Sequence, residues 1–166
     1  MAIGLQLDAV RSIDVFPGQR TGVDYIQMFE RQGIRIGSIV RDFLLEAVFS
    51  RVEKQKQVLF IPVSNFDLGC LKDCYSLEKT FTIGQNDACL EYCDVEEVLQ
   101  FRTAYKDQPK GERLIVAMKP FEHATRVQLL SVEHDESGLW IYSYPHNLKD
   151  MRNRKNEFLW KLPSAG

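Results

Sequence analysis

Apolar residues recur at helical spacing over much of the first hundred positions. After Gly37 and the capping candidate Ser38, Ile39, Val40, Phe43, Leu44, Ala47, Val48 and Val52 fall on one side, with Arg41, Asp42, Glu46, Arg51 and Glu53 mostly between them. This predicts the strongest helix of the chain. A shorter one is predicted where Thr21, followed three positions later by Asp24, caps a run of Tyr25, Ile26, Met28 and Phe29 that stops at Gly33. A third begins at Asp94, with Glu96 and Glu97 in its first turn and Val95, Val98, Leu99 and Arg102 along one side. It ends at the turn-rich stretch 107–111.

Elsewhere the period is two. The run 58–63, VLFIPV, is short and β-branched and predicts a strand buried on both faces. Stretches 113–119, 125–133 and 139–144 are separated by turns at Pro120 and at Asp135-Glu136-Ser137-Gly138, which predicts an antiparallel meander. Leu5, Leu7, Ala9, Ile13 and Val15 alternate loosely and suit an edge strand or an extended arm, and the last segment suits a strand or a short helix. With helices mainly in the N-terminal half and an antiparallel β-meander in the C-terminal half, the expected class is α+β. No repeat or linker divides the chain, so residues 1–166 are read as one domain.

Composition narrows the function classes without choosing one. The 166 residues carry 21 Lys+Arg against 23 Asp+Glu, a net charge of -2, which disfavours a protein built chiefly to neutralise nucleic-acid phosphates. At 45% hydrophobic residues, one core stabilises such a chain without disulfides or metal. The longest apolar run falls far short of the roughly 20 residues that span a bilayer, and the first ten residues, Asp8 among them, lack an apolar signal core. The expectation is therefore a protein of the cytoplasm or of a virion, with no membrane association and no secretion.

Cys70, Cys74, Cys89 and Cys93 form C-x3-C-x14-C-x3-C, which on helices would bring each pair onto one face. Three states suit it: reduced thiols packed as small hydrophobes, a structural zinc site with all four as ligands, or two disulfides. The spacing resembles the twin CX3C motif of small chaperones of the mitochondrial intermembrane space and of plant α-hairpinin peptides. That resemblance implies disulfides between antiparallel helices, but it covers only residues 70–93, where Thr80-Phe81-Thr82-Ile83-Gly84 favours a strand and turn. None of these states makes an enzyme.

Catalytic signals are sparse. His123-Ala124-Thr125 spells H-x-T, which resembles half of the paired signature of two-histidine phosphoesterases; His134 and His146 lack the matching hydroxyl residue. The loop Pro17-Gly18-Gln19-Arg20-Thr21-Gly22 suits an anion but lacks the Lys-Ser/Thr ending of a P-loop.

Binding signals are stronger. Alternation along 139–144 puts Trp140, Tyr142 and Tyr144 on one face, a row suited to a subunit contact or to stacking bases. Residues 149–166 hold Lys149, Arg152, Arg154, Lys155 and Lys161 against Asp150 and Glu157, a local charge of +3, followed by the apolar anchors Phe158 and Trp160. The first expectation is a non-enzymatic structural or interaction subunit of a larger homo- or hetero-oligomeric complex, such as a viral or phage particle. It would use Trp140, Tyr142, Tyr144, Arg152, Arg154, Lys155, Phe158 and Trp160. The alternatives are a small nucleic-acid-binding protein, zinc-stabilised through the cysteines, and a phosphoesterase centred on His123 and Thr125.

Overall fold

A computed structural model describes residues 4–18, 20–46, 49, 51–69, 76–145 and 157–164. Among the described residues the elements are, in order, a 3-10 turn Leu7–Ala9, β1 Arg11–Val15, α1 Gly22–Arg31, β2 Arg35–Ile36, α2 Ser38–Glu46, β3 Lys56–Ser64, α3 Leu77–Asn86, α4 Val95–Ala104, β4 Arg113–Val116, β5 Phe121–His123, β6 Arg126–Asp135, β7 Gly138–Pro145 and β8 Glu157–Lys161. The class is α+β. The expected layout holds only in part, because β1, β2 and β3 lie among the helices and helices continue to residue 104.

The eight strands among the described residues form one sheet, in the order β1-β3-β8-β4-β6-β7-β2, with β5 added to β6. Most neighbours are antiparallel; β4 with β8 and β2 with β7 are parallel. The expected three-stranded antiparallel meander is present. β4, β6 and β7 do lie side by side, but β8 returns from the end of the chain to sit between β3 and β4. The last segment is thus a strand, and a central one.

Local signals explain the element ends. Thr21 and Asp24 form a reciprocal capping box at α1, and Asp94 with Glu97 does the same at α4. The helix expected to run to Val52 is described over Ser38–Glu46, and Phe49, Arg51 and Val52 lie outside it. Val52 instead turns its backbone N–H toward the buried Glu96 carboxylate, 2.6 Å away, and so leaves the helical path. The stretch expected as strand and turn around Thr80-Phe81-Thr82 is the middle of α3, capped by Ser76, whose hydroxyl accepts from the Lys79 N–H at 3.1 Å.

Side-chain alternation divides the sheet into two faces. One carries Phe60 and Lys161 and meets α4, with Phe60 and Phe101 rings 4.7 Å apart and Lys161 bonded to Glu97. The other carries Phe158 and Trp160, which pack on Phe81 of α3 at 5.5 and 5.4 Å. Trp160 fits because Gly84 lacks a side chain; a β-carbon there would stand 2.4 Å from the indole. Further along this second face, on β6 and β7, the side chains reach solvent.

Candidate interaction site

The open part of the second face is built by register. Glu133 of β6 lies opposite Trp140 of β7 and Arg113 of β4, Ser131 lies opposite Tyr142, and Leu129 lies opposite Tyr144. Arg35 of β2 completes the row beside Trp140. Cross-strand partners share a face, so these side chains form one continuous surface. Trp140, Tyr142 and Tyr144 run along it edge to face, with ring centroids 6.0 and 5.6 Å apart. Tyr142 is the most open of the three, at 42% exposed.

Polar groups fix the rings. The Trp140 indole N–H donates to Asp135 at 2.9 Å and the Tyr144 hydroxyl donates to Glu133 at 3.0 Å. The Ser131 hydroxyl donates to the other Glu133 oxygen at 2.7 Å, and Arg113 lies 3.5 Å from Glu133 and over the Tyr144 ring. The Arg35 guanidinium stands 5.6 Å from the Trp140 ring centre. Burial first, and the Glu133 charge second, push the Tyr144 hydroxyl up to about 12, so it remains a donor at neutral pH. The bond from the Ser137 hydroxyl, with those from the Ser137 N–H and the Trp140 indole, outweighs the opposing effect of burial and holds Asp135 below the ordinary carboxylate range. Glu133, Asp135 and the three rings border a shallow concavity of about 340 Å³.

The other expected site residues fall elsewhere. Phe158 and Trp160 are fully enclosed in the core, which corrects their reading as contact residues. Arg152, Arg154 and Lys155 lie outside the described residues, as do Cys70 and Cys74. Cys89 and Cys93 do not share a helix face. Cys89 has φ 54, and Glu91 between them pairs with Lys161 as an added bridge on β8, so the segment runs extended. Cys89 is an exposed thiol, while Cys93 is buried with its thiol against the Leu159 carbonyl at 3.4 Å, and burial pushes it well up. Among the described residues no group of three or more His, Cys, Asp or Glu is arranged to hold a metal.

The histidines are also separate. His123 pairs with Arg126 at one end of β6 and contacts Asp42 of α2 through Nε2 at 3.1 Å. His134 lies eight residues along β6, about 26 Å at strand rise, with Nδ1 2.6 Å from the Gln108 carbonyl. No single phosphate spans them. His146 lies outside the described residues.

Sequence reading missed a buried polar layer on α4, where Glu96, Glu97 and Arg102 are enclosed rather than solvated. Glu96 accepts from the Tyr25 hydroxyl at 2.9 Å and from Val52 N–H, and burial together with that carboxylate raises the Tyr25 hydroxyl. Arg102 donates to the Glu133 and Trp140 carbonyls at 3.3 and 3.4 Å and to that of Tyr105. Its burial pulls the guanidinium down to about 10, still cationic at neutral pH. From beneath the sheet, Arg102 therefore holds the two strands that carry the aromatic row. A run of acids at a helix start reads as solvated, and only the absence of an amphipathic pattern across 95–104 signalled otherwise.

No helix among the described residues is long and apolar enough to cross a membrane. Comparison with family models, curated proteins and solved structures found no match. Function is therefore read from the geometry alone.

Proposed function

We propose that this protein is a non-enzymatic interaction subunit that joins other protein subunits in a larger complex, a viral or phage particle among the settings that suit it. The observation that carries this reading is the row Trp140–Tyr142–Tyr144, held rigid on the solvent-reaching part of the sheet by Glu133, Asp135 and Arg113. Rigid aromatics with neighbouring arginines are the residue types that dominate protein contacts, because they bury much surface for little lost side-chain entropy. Glu133 and Asp135 sit within the same row, and their charges oppose a phosphate backbone laid along it. That favours a protein partner over a nucleic-acid strand on this half of the sheet.

Native mass spectrometry of the purified chain, alone and with co-purifying subunits, tests the reading. A defined assembly above the monomer mass is expected, with Trp140→Ala/Tyr142→Ala returning it to monomer while the circular-dichroism spectrum is unchanged. A wild-type chain that is only monomeric, or an assembly that the double substitution leaves intact, overturns it.

A further inference from the structure

The concavity on the open half of the sheet carries charge of one sign. Its border consists of three rings, Trp140, Tyr142 and Tyr144, and two carboxylates, Glu133 and Asp135. Register puts all five on one face: Glu133 stands opposite Trp140, and Asp135 and the two tyrosines follow at steps of two along β6 and β7. The arginines of this face hold the ends of the row and do not border the concavity. Arg113 lies beside Glu133 and over Tyr144, and Arg35 lies over Trp140 while its Nε donates to the Ser137 carbonyl at 3.1 Å.

Two groups between those ends are left over. Among the described residues no cation stands over the Tyr142 ring, and none pairs with Asp135, whose carboxylate is exposed and ionised at neutral pH. The Tyr142 ring is also fixed in place. Trp140 and Tyr144 flank it, and Gly37, just after β2, lies so near that a β-carbon there would stand 2.6 Å from the ring.

We infer that a partner subunit inserts a lysine side chain into this concavity, its stem along the Tyr142 ring and its ammonium beside Asp135. The inference rests on the reading of this face as a subunit contact and names what fills it. A partner that covers the face takes Asp135 out of water, and an enclosed carboxylate without a counter-ion is costly, so the partner must bring a cation. The ring attracts the same charge. Lysine suits the site better than arginine. The Ser137 N–H, the Ser137 hydroxyl and the Trp140 indole all donate to Asp135 Oδ1, and Glu133 accepts on both of its oxygens. Neither acid therefore presents two open oxygens to a guanidinium fork, whereas an ammonium acts as a point charge. The concavity is too shallow to enclose most of a free small ligand, which leaves a side chain delivered by a docked protein as the occupant.

Ligand-observed NMR on the full chain, diluted until native mass spectrometry shows monomer, tests this with the peptide acetyl-Ser-Gly-Lys-Gly-Ser-amide. Two further peptides carry norleucine or arginine at the centre. The lysine peptide is expected to bind in the millimolar range, the arginine peptide more weakly, and the norleucine peptide, which keeps the stem and loses the charge, about tenfold more weakly. Asp135→Asn, whose Oδ1 still accepts from Ser137 and Trp140, and Tyr142→Leu are each expected to weaken the lysine peptide about threefold and leave the norleucine peptide unchanged. No binding of the lysine peptide up to about 50 mM, norleucine or arginine binding as tight as lysine, or lysine binding that both substitutions leave intact overturns the inference. The two readings fail separately. An assembly that Trp140→Ala/Tyr142→Ala dissociates, in a chain with no preference for lysine, sinks the lysine alone. A chain that never assembles yet prefers lysine to norleucine sinks the subunit contact and keeps the cation site.

Discussion

Glu97 is 1% exposed and lies between two lysines, with Lys56 at 2.6 Å and Lys161 at 2.9 Å. Burial by itself would raise its carboxyl, but the two ammonium groups and the Asp94 N–H outweigh it and hold the acid below its ordinary 4.5. Lys161 shows the mirror case: burial would lower its ammonium, and Glu97 with Asp94 outweighs that and raises it above 10.5. The depressed acid adds stability that is complete above its unfolded value and is lost as pH falls through the folded one. The raised amine adds stability that is complete below its unfolded value and is lost as pH rises through the folded one. Between those limits the cluster is fully stabilising. Glu97→Gln removes the charge that both lysines face and is expected to cost about 3 kcal/mol at neutral pH. It should also flatten the loss of stability on acidification. Urea denaturation at neutral and acidic pH measures both, and an unchanged midpoint at neutral pH would show the cluster to be energetically idle. In the sequence, Glu97 looked like an ordinary first-turn acid. Its neighbours on β3 and β8 are distant in the chain, and no local pattern could announce them.

At the scale of elements, α3 shows how packing overrides local preference. Thr80, Phe81, Thr82 and Ile83 favour a strand on propensity, yet Leu77, Thr80, Phe81 and Gly84 are buried at helical spacing. The period was present in the sequence but was hidden, because Thr and Gly hold two of its four apolar positions. Gly84 is the price of that choice: an alanine there would gain up to about 1 kcal/mol of helix propensity, but its β-carbon would stand 2.4 Å from the Trp160 ring. Overpacking of a filled core costs about 1 to 3 kcal/mol. Gly84→Ala is therefore expected to destabilise by about 1 kcal/mol net, read as a lower urea midpoint with unchanged slope. A raised midpoint would mean that Trp160 has room to shift. Where caps and periodicity agreed, as in α1 and α4, the element starts were legible to within a residue, because a capping box is written within four consecutive positions.

For the whole molecule, the decisive event is the return of the chain end into the middle of the sheet. Phe158, Leu159 and Trp160 are all 0% exposed between β3 and β4. Deletion of residues 157–166 is therefore expected to abolish cooperative unfolding, since it splits the sheet and opens both helix layers at once. Circular dichroism during thermal or urea titration reads this directly, and a truncated chain that still melts sharply would refute the central placement. Apolar anchoring at the end of the chain was legible from Phe158, Leu159, Trp160 and Leu162, but the sequence suggested an anchor for contact with others rather than a core strand.

By itself, the sequence determined the α+β class, the cap positions of α1 and α4, and the strand at 58–63, the middle of β3. It also put Trp140, Tyr142 and Tyr144 on one face. Each of these depends on neighbours within a few residues, where hydrogen-bond geometry and side-chain period act directly. Only the tertiary structure decided the sheet order, the enclosure of Phe158 and Trp160, the buried charges of α4 and the meeting of Arg113, Glu133 and Trp140. Those depend on which strands lie side by side, and alternation fixes which face a side chain takes without fixing what stands opposite it.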